Sequence, residues 1–299
     1  MPHSSCSSPE PIDPEILAAF AGHPVLAETC GQLFGAIPQS GLTNRVFRLS
    51  ADTGDYFLRL PRAETVGMID RHAEAVNLKS AADQGLALPA VYCAPDSGIL
   101  LTEAVETLHV LPGDFPRELG AAVGRLHSSG AEFAGMLDPV AVYKAQKLKL
   151  SQYPDLLKEI GALDRALTMM GGLSNSVHGE IILVPSHGDL SPGNCLATDN
   201  KLWLIDWEYS GLSLPAWDLA YAILEHEFSI EEERRFLQGY SDIGANRFLP
   251  SEDQLIVMKS RCDAVSALWA LEQVARGREA ETFRLFAQER MQRALSRLR

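Results

Sequence analysis

The period of the apolar positions changes along the chain, and each change marks an element. DPEILAAFAG has helical spacing, with Asp13 placed as N-cap and Pro14 at the first helical position, so it predicts a short helix. From Gly31 the pattern becomes strand-like. NRVFRLS alternates, ADTGD is a turn, and YFLRLP alternates again until Pro61 stops it, which predicts a β-hairpin. MIDRHAEAVNLKSAADQG returns to helical spacing and closes on Gly85. PAVYCA and GILLTEAV are predicted strands around a Pro-Asp-Ser-Gly turn.

After about residue 107 the character changes. FPRELGAAVGRLHSSG is an amphipathic helix, and most of the remaining chain is helical, except for two short apolar runs, IILVP and LWLID. The segments SEDQLIVMKSRCDAVSALWALEQVARG and EAETFRLFAQERMQRALSRLR are both predicted helices, the second ending in basic residues that suit a helix C-terminus. The pattern therefore predicts a polar, disordered tail over residues 1–12, a small lobe over 13–105 and a larger, mostly helical lobe over 106–299. The fold class is α+β: a small antiparallel sheet with one main helix, then helices.

Composition narrows the function. Of 299 residues, 46% are hydrophobic and 22% charged, as in soluble globular proteins. The net charge of −13 argues against a nucleic-acid partner, because binding a phosphate backbone needs a basic face. Five cysteines, far apart and without a C-x-x-C pair, suggest neither a disulfide framework nor a zinc site. The N-terminus has no basic and apolar signal pattern, and no apolar run reaches the ~18 residues of a spanning helix. A cytoplasmic protein without membrane insertion is expected, as a monomer or homodimer.

The chemistry concentrates in SHGDLSPGNCLATDNKLWLIDWEYSG, Ser186 to Gly211. His187, Asp189 and Asn194 form H-x-D-x-x-x-x-N, and Asp206 closes the apolar run LWLID. CLATDNKLWLI reads as a hairpin turning at Asp199-Asn200, so Asn194 at its entrance and Asp206 at its exit are neighbours. An amide oxygen beside a carboxylate suits Mg²⁺, which takes few protein ligands and completes its shell with water and phosphate oxygens. Asp189, on the loop leading in, is free to reach a substrate hydroxyl. These are the parts of phosphoryl transfer; the alternative is a polar loop in which Asp189 and Asn194 only cap turns.

The arrangement resembles protein-kinase-like small-molecule kinases, and among them the choline/ethanolamine kinases, related to aminoglycoside phosphotransferases. HGDLSPGN resembles their catalytic loop, LIDWEYSG their metal-binding segment, and LPAWDLA continues the likeness, with Asp218 bracing the loop. The resemblance covers roughly residues 38 to 290 and implies a two-lobed kinase fold using ATP and Mg²⁺, with ATP bound by residues 13–105 and catalysis and substrate binding in 106–299. SGLTNRVFRL is similar to the family's shortened phosphate loop, which implies Gly41, Thr43 and Asn44 at the phosphates. Arg59 is implied to contact the phosphates and pair with Glu74, and the backbone of Glu103 and Val105 to hold adenine.

The same resemblance implies an acceptor site that surrounds an ammonium with acids and rings. Glu208, Glu225, Trp269 and Phe286 fall at its positions beside Asp189, while Ser266 departs from a second Trp and Phe286 stands where the family has Tyr. The expected function is transfer of the ATP γ-phosphate to a small cationic amino alcohol, choline or ethanolamine. The alternatives are another acceptor (thiamine, an aminoglycoside, a sugar or a homoserine-like molecule) or a nucleotide-binding pseudokinase. His127, Trp203, Trp207, Trp217 and Cys195 are expected in the core.

Overall fold

Asp13 caps the first helix. Its carboxylate accepts the Glu15 N–H at 2.9 Å, and α1 (Pro14–Gly22) follows with proline at its start; such a cap contributes about 1 kcal/mol. The computed structural model describes residues 12–39, 41, 43–63, 67, 69–108, 111, 113–169, 181–199 and 201–298. The expected tail apart from Ile12, together with Ser40 and Leu42 of the phosphate-loop motif and Asn200 of the predicted turn, lies outside them. The chain divides into two units, Met1–Thr107 and Leu108–Arg299.

In the first unit α1 is followed by α2 (Pro24–Cys30), β1 (Leu33–Gln39), β2 (Asn44–Ala51), β3 (Gly54–Pro61), α3 (Arg71–Asp83), β4 (Ala90–Ala94) and β5 (Ile99–Glu103). The strands form one antiparallel sheet in the order β1-β2-β3-β5-β4. The predicted hairpin is β2–β3, with Ala51 opposite Gly54 at its turn and Val46 opposite Arg59. Phe47, Leu49, Leu58 and Leu101 of the sheet share a core with Ile16 of α1 and Leu26 of α2. α2 was not signalled, since seven residues are too few to display a helical period. α3 starts at Arg71, two residues after Ile69 of the predicted run, whose Met68 lies outside the described residues; the Asp70 carboxylate caps it by accepting the Ala73 N–H at 3.0 Å.

The second unit runs through α4 (Phe115–Ser128), β6 (Met136–Leu137), α5 (Pro139–Lys149), α6 (Pro154–Glu159), α7 (Gly161–Met169), β7 (Val184–Ser186), β8 (Cys195–Ala197), β9 (Leu202–Leu204), β10 (Gly211–Ser213), α8 (Pro215–Glu225), α9 (Ile230–Asp242), α10 (Glu252–Ala275) and α11 (Ala280–Arg297). Of the predicted run IILVP only its end is strand, in β7. β7 pairs antiparallel with β10, and β10 parallel with β6, in a small sheet that the apolar pattern did not signal. Strands of two or three residues carry no readable alternation. α10 and α11 pack together over α5, α6 and α7, burying Leu163, Leu268, Leu271, Ala287 and Met291. α9 and α10 both begin with a capping box, Ser229 with Glu232 and Ser251 with Gln254. Among the described residues no helix is long and apolar enough to cross a membrane.

Candidate active site

β7 delivers the chain into the loop that carries Asp189. His187 is fully buried and tilts against the Trp207 ring at 4.5 Å. Its Nε2–H donates to the Ile205 carbonyl at 2.9 Å, and its Nδ1 accepts the Asp189 N–H at 3.3 Å, which assigns the tautomer. Burial holds its pKa below the usual imidazole range, so it remains a neutral strut. Gly188 has φ +89°, and a Cβ there would lie 2.4 Å from the Tyr209 carbonyl oxygen, so only glycine fits the turn.

The first turns of α8 brace this loop from below. The buried Asp218 carboxylate accepts the N–H of His187 at 2.8 Å and of Gly188 at 2.9 Å, and the His127 Nε2–H at 3.2 Å. Burial alone would raise the Asp218 pKa, but the His127 hydrogen bond, the nearby histidines and the Gly188 amide outweigh it and hold it low. The Trp217 indole donates to the Gly188 carbonyl at 3.0 Å. His127, Trp207, Trp217 and Cys195 are all buried, as expected of core residues, while Trp203 is half-buried with the Lys201 ammonium 3.7 Å from its ring centroid.

Asp189 and Asn194 are in contact. The Asn194 Nδ2 donates to the Asp189 carbonyl at 3.0 Å and to its carboxylate at 3.1 Å. With the amide nitrogen so engaged, the amide oxygen is the atom left for a cation. Asn194 also adjoins Asp206, because the β8–β9 pairing ends with the Ile205 N–H donating to the Asn194 carbonyl at 3.0 Å. Asp206 has φ +64°, a left-handed conformation that few residues other than glycine adopt. Strained backbone of this kind collects at functional sites. An amide oxygen and a carboxylate at the two feet of one hairpin are a donor set that fits a hard, mostly hydrated cation.

Asp189 is a buried acid of this loop. Burial pushes its pKa up to about 6; the Glu225 and Glu208 charges add to the rise, and hydrogen bonds from Tyr221 and Asn194 oppose it. Tyr221 escaped the sequence reading. It lies on α8 between Asp218 and Glu225 at i+3 and i+7 spacing, and stacks on Trp217 with centroids 6.1 Å apart. That spacing from two residues already singled out was the available signal.

In the first unit Arg59 and Glu74 form the expected pair, both guanidinium ends meeting the two carboxylate oxygens, with Nη2 to Oε2 at 3.0 Å. Arg71 adds a third contact, to Glu74 Oε2 at 2.8 Å. Burial would raise the Glu74 pKa, but the two arginines prevail and lower it. Asn44 is buried; its amide nitrogen donates to Thr43 Oγ1 at 3.2 Å and its oxygen accepts from Arg71 at 2.7 Å. A Cβ on Gly41 would lie 2.7 Å from the Asn44 carbonyl oxygen, and that closeness keeps the turn tight. Arg62 donates to the Gly41 carbonyl at 3.0 Å. Glu103 ends β5, and Val105 follows it, half-buried.

The residues named for the acceptor are only partly brought together. Glu208 is buried, and its carboxylate accepts from Tyr209. Glu225 and Phe286 both meet Arg290, a residue the sequence reading did not single out. Trp269 instead meets Phe283 edge-on at 5.5 Å within the α10–α11 core, and Phe286 packs against that core too. Packing therefore accounts for part of both aromatic positions.

A buried acid on a tight loop, an amide and a carboxylate at the feet of the next hairpin and, in the first unit, a buried Arg–Glu pair are residue types that phosphoryl transfer employs. The chain belongs to the phosphotransferase enzyme family, whose profile matches residues 36–251. It is 29% identical over 271 residues to the protein LicA of Haemophilus influenzae, spanning 86% of this chain and 98% of that one. It superposes on a choline/ethanolamine kinase family protein from Mesorhizobium loti with a TM-score of 0.72 and 28% identity, covering 95% of this chain and 93% of that one. The choline kinase LicA from Streptococcus pneumoniae superposes with a TM-score of 0.74 and 22% identity, over 95% and 98% of the two chains. The fold is thus protein-kinase-like, a small antiparallel sheet followed by a larger set of helices.

Proposed function

We propose that this chain is a kinase that moves the γ-phosphoryl group of ATP to the hydroxyl of a small cationic amino alcohol, choline or ethanolamine. The observation that carries the reading is Asp189, buried, held by Asn194, and joined through one hairpin to Asp206. The family profile and the likeness to LicA support it.

In this reading residues 13–105 bind ATP, and residues 106–299 carry catalysis and the acceptor. Asp189 orients the acceptor hydroxyl and takes its proton onto the carboxylate as the oxygen–phosphorus bond forms and the bond to ADP breaks. Asn194 and Tyr221 fix the direction of that carboxylate. The Asn194 amide oxygen and the Asp206 carboxylate would hold Mg²⁺, which when bound neutralises charge on the phosphate oxygens. Arg59, held by Glu74, donates to the phosphates, with Gly41, Thr43 and Asn44 forming the loop around them and the Glu103 and Val105 backbone holding adenine. Glu225 and Glu208 balance the acceptor's charge, and Trp269 and Phe286 offer it ring faces.

The test is ADP release from Mg·ATP with choline, ethanolamine, thiamine, an aminoglycoside and homoserine as acceptors. Turnover with choline or ethanolamine is expected. Turnover only with another acceptor would move the substrate assignment, and ATP binding without turnover across the panel would leave a nucleotide-binding scaffold.

The pH profile carries a further expectation. Asp189 must be ionised to accept a proton, so kcat/KM for the acceptor is expected to fall as pH drops through about 6 or somewhat lower, a nearby divalent cation pulling the limb down. Tyr221→Phe removes a hydrogen bond that favours the anion, so the limb is expected to move to higher pH. A limb that stays in place in the variant would contradict the Tyr221 contact.

A further inference from the structure

We propose that Arg290 is a positioning residue for the acceptor: it locks the Glu225 carboxylate and the Phe286 ring into one preset unit. The inference rests on the cationic-acceptor reading above.

Glu225 is the last residue of α8, where a side chain with three free torsions would otherwise sample many directions. Arg290, on α11, removes that freedom. Its Nη1 donates to Glu225 Oε1 at 2.8 Å and its Nη2 to Oε2 at 3.0 Å, the fork-to-fork geometry in which both groups lose their rotation. Its guanidinium carbon lies 4.6 Å from the centroid of Phe286, one turn earlier on the same helix, which fixes the ring plane as well.

The guanidinium is itself anchored. Its Nη1 also donates at 3.2 Å to Asp263 of α10, a fully buried carboxylate that accepts further hydrogen bonds from Arg293 Nε at 2.9 Å and Arg297 Nη1 at 2.6 Å. Stapling α10 to α11 therefore does not depend on Arg290, since two other arginines reach Asp263. What Arg290 alone reaches among these three is Glu225, whose side chain remains 17% exposed. A carboxylate that accepts two N–H bonds keeps lone pairs for another cation. Freezing it beforehand spares the ordering cost that a loose acid would incur on binding an ammonium. Tyr221, one turn before Glu225 on α8, contacts Asp189, so the preset acid is also held at a set distance from the hydroxyl-accepting group.

The test is a double-mutant cycle of Arg290→Lys and Glu225→Gln, reading the KM for choline, the KM for ATP and the melting temperature. Lysine keeps the charge but cannot reproduce the planar fork. Arg290→Lys is expected to raise the choline KM about tenfold and leave the ATP KM within about twofold. Because both single variants lose the same fork, the double variant is expected to raise the choline KM by much less than the product of the two single effects, the remainder coming from the Phe286 ring. Independent, multiplying effects, or equal rises in both KM values, would overturn the inference. Should Arg290→Lys not fold, Glu225→Asp draws the carboxylate back from the same fork and leaves the arginines on Asp263; an unchanged choline KM there overturns it too. Wild-type protein without choline or ethanolamine turnover overturns both this inference and the function reading, whereas wild-type turnover with unmoved variants overturns this one alone.

Discussion

Asp189→Asn is expected to lower kcat by about 10³-fold and at the same time to raise the melting temperature at neutral pH. The loss follows from removing the group that takes the hydroxyl proton, with Tyr221 and Asn194 left to hold an amide in its place. The gain follows from linkage. Burial lifts the Asp189 carboxyl to about 6 in the folded chain, against 3.8 for the same group in water. The folded state thus binds this proton more tightly than the unfolded one, and stability from this site falls as pH rises between those two values. Above about pH 7 the whole penalty is present, on the order of 1–3 kcal/mol, and the asparagine variant does not carry it. The measurement is a melting curve of both proteins, without nucleotide or metal, at neutral pH and near pH 4. A gain of a few degrees at neutral pH that shrinks at acid pH is expected. Equal melting temperatures at both would mean that Asp189 is not strained by burial, and retained turnover would end its assignment as the proton acceptor.

Asp206→Asn is expected to lower kcat/KM for Mg·ATP by 10²–10³-fold, in the range of several kcal/mol of metal-borne charge stabilisation. Asparagine is the informative replacement because of the backbone. At φ +64° an asparagine is tolerated nearly as well as an aspartate, whereas alanine would add a conformational cost of about 1–2 kcal/mol. Asp206→Ala is therefore expected to lose activity and stability together, and Asp206→Asn activity alone. Titrating Mg²⁺ should show a shifted requirement in Asp206→Asn. Wild-type Mg²⁺ dependence in that variant would remove Asp206 from the cation site.

The parts of this protein that its sequence determined are those whose interactions close over short stretches. Asp13 and Pro14 start α1 by bonds to the next residues. The alternation of NRVFRLS and YFLRLP, with a Gly at the turn, dictates the β2–β3 hairpin and thereby the burial of Arg59. Asn194 and Asp206 were legible as neighbours because a hairpin of a dozen residues has one way to bring its ends together. The Arg59–Glu74 pair was named from the family resemblance, and the structure forms it between a strand and the helix after it.

Tertiary structure alone decided the rest. The β6-β10-β7 sheet joins segments of two or three residues that are far apart in the chain, too short to show a period. Asp206 takes its left-handed turn without a glycine to announce it. Tyr221 reaches Asp189, and Arg290 reaches Glu225, only because α8 lies against the loop on one side and against α10 and α11 on the other. Which side chains meet across 30 or 65 residues depends on how helices pack, and helix packing is set by the whole apolar surface, not by any local run of sequence.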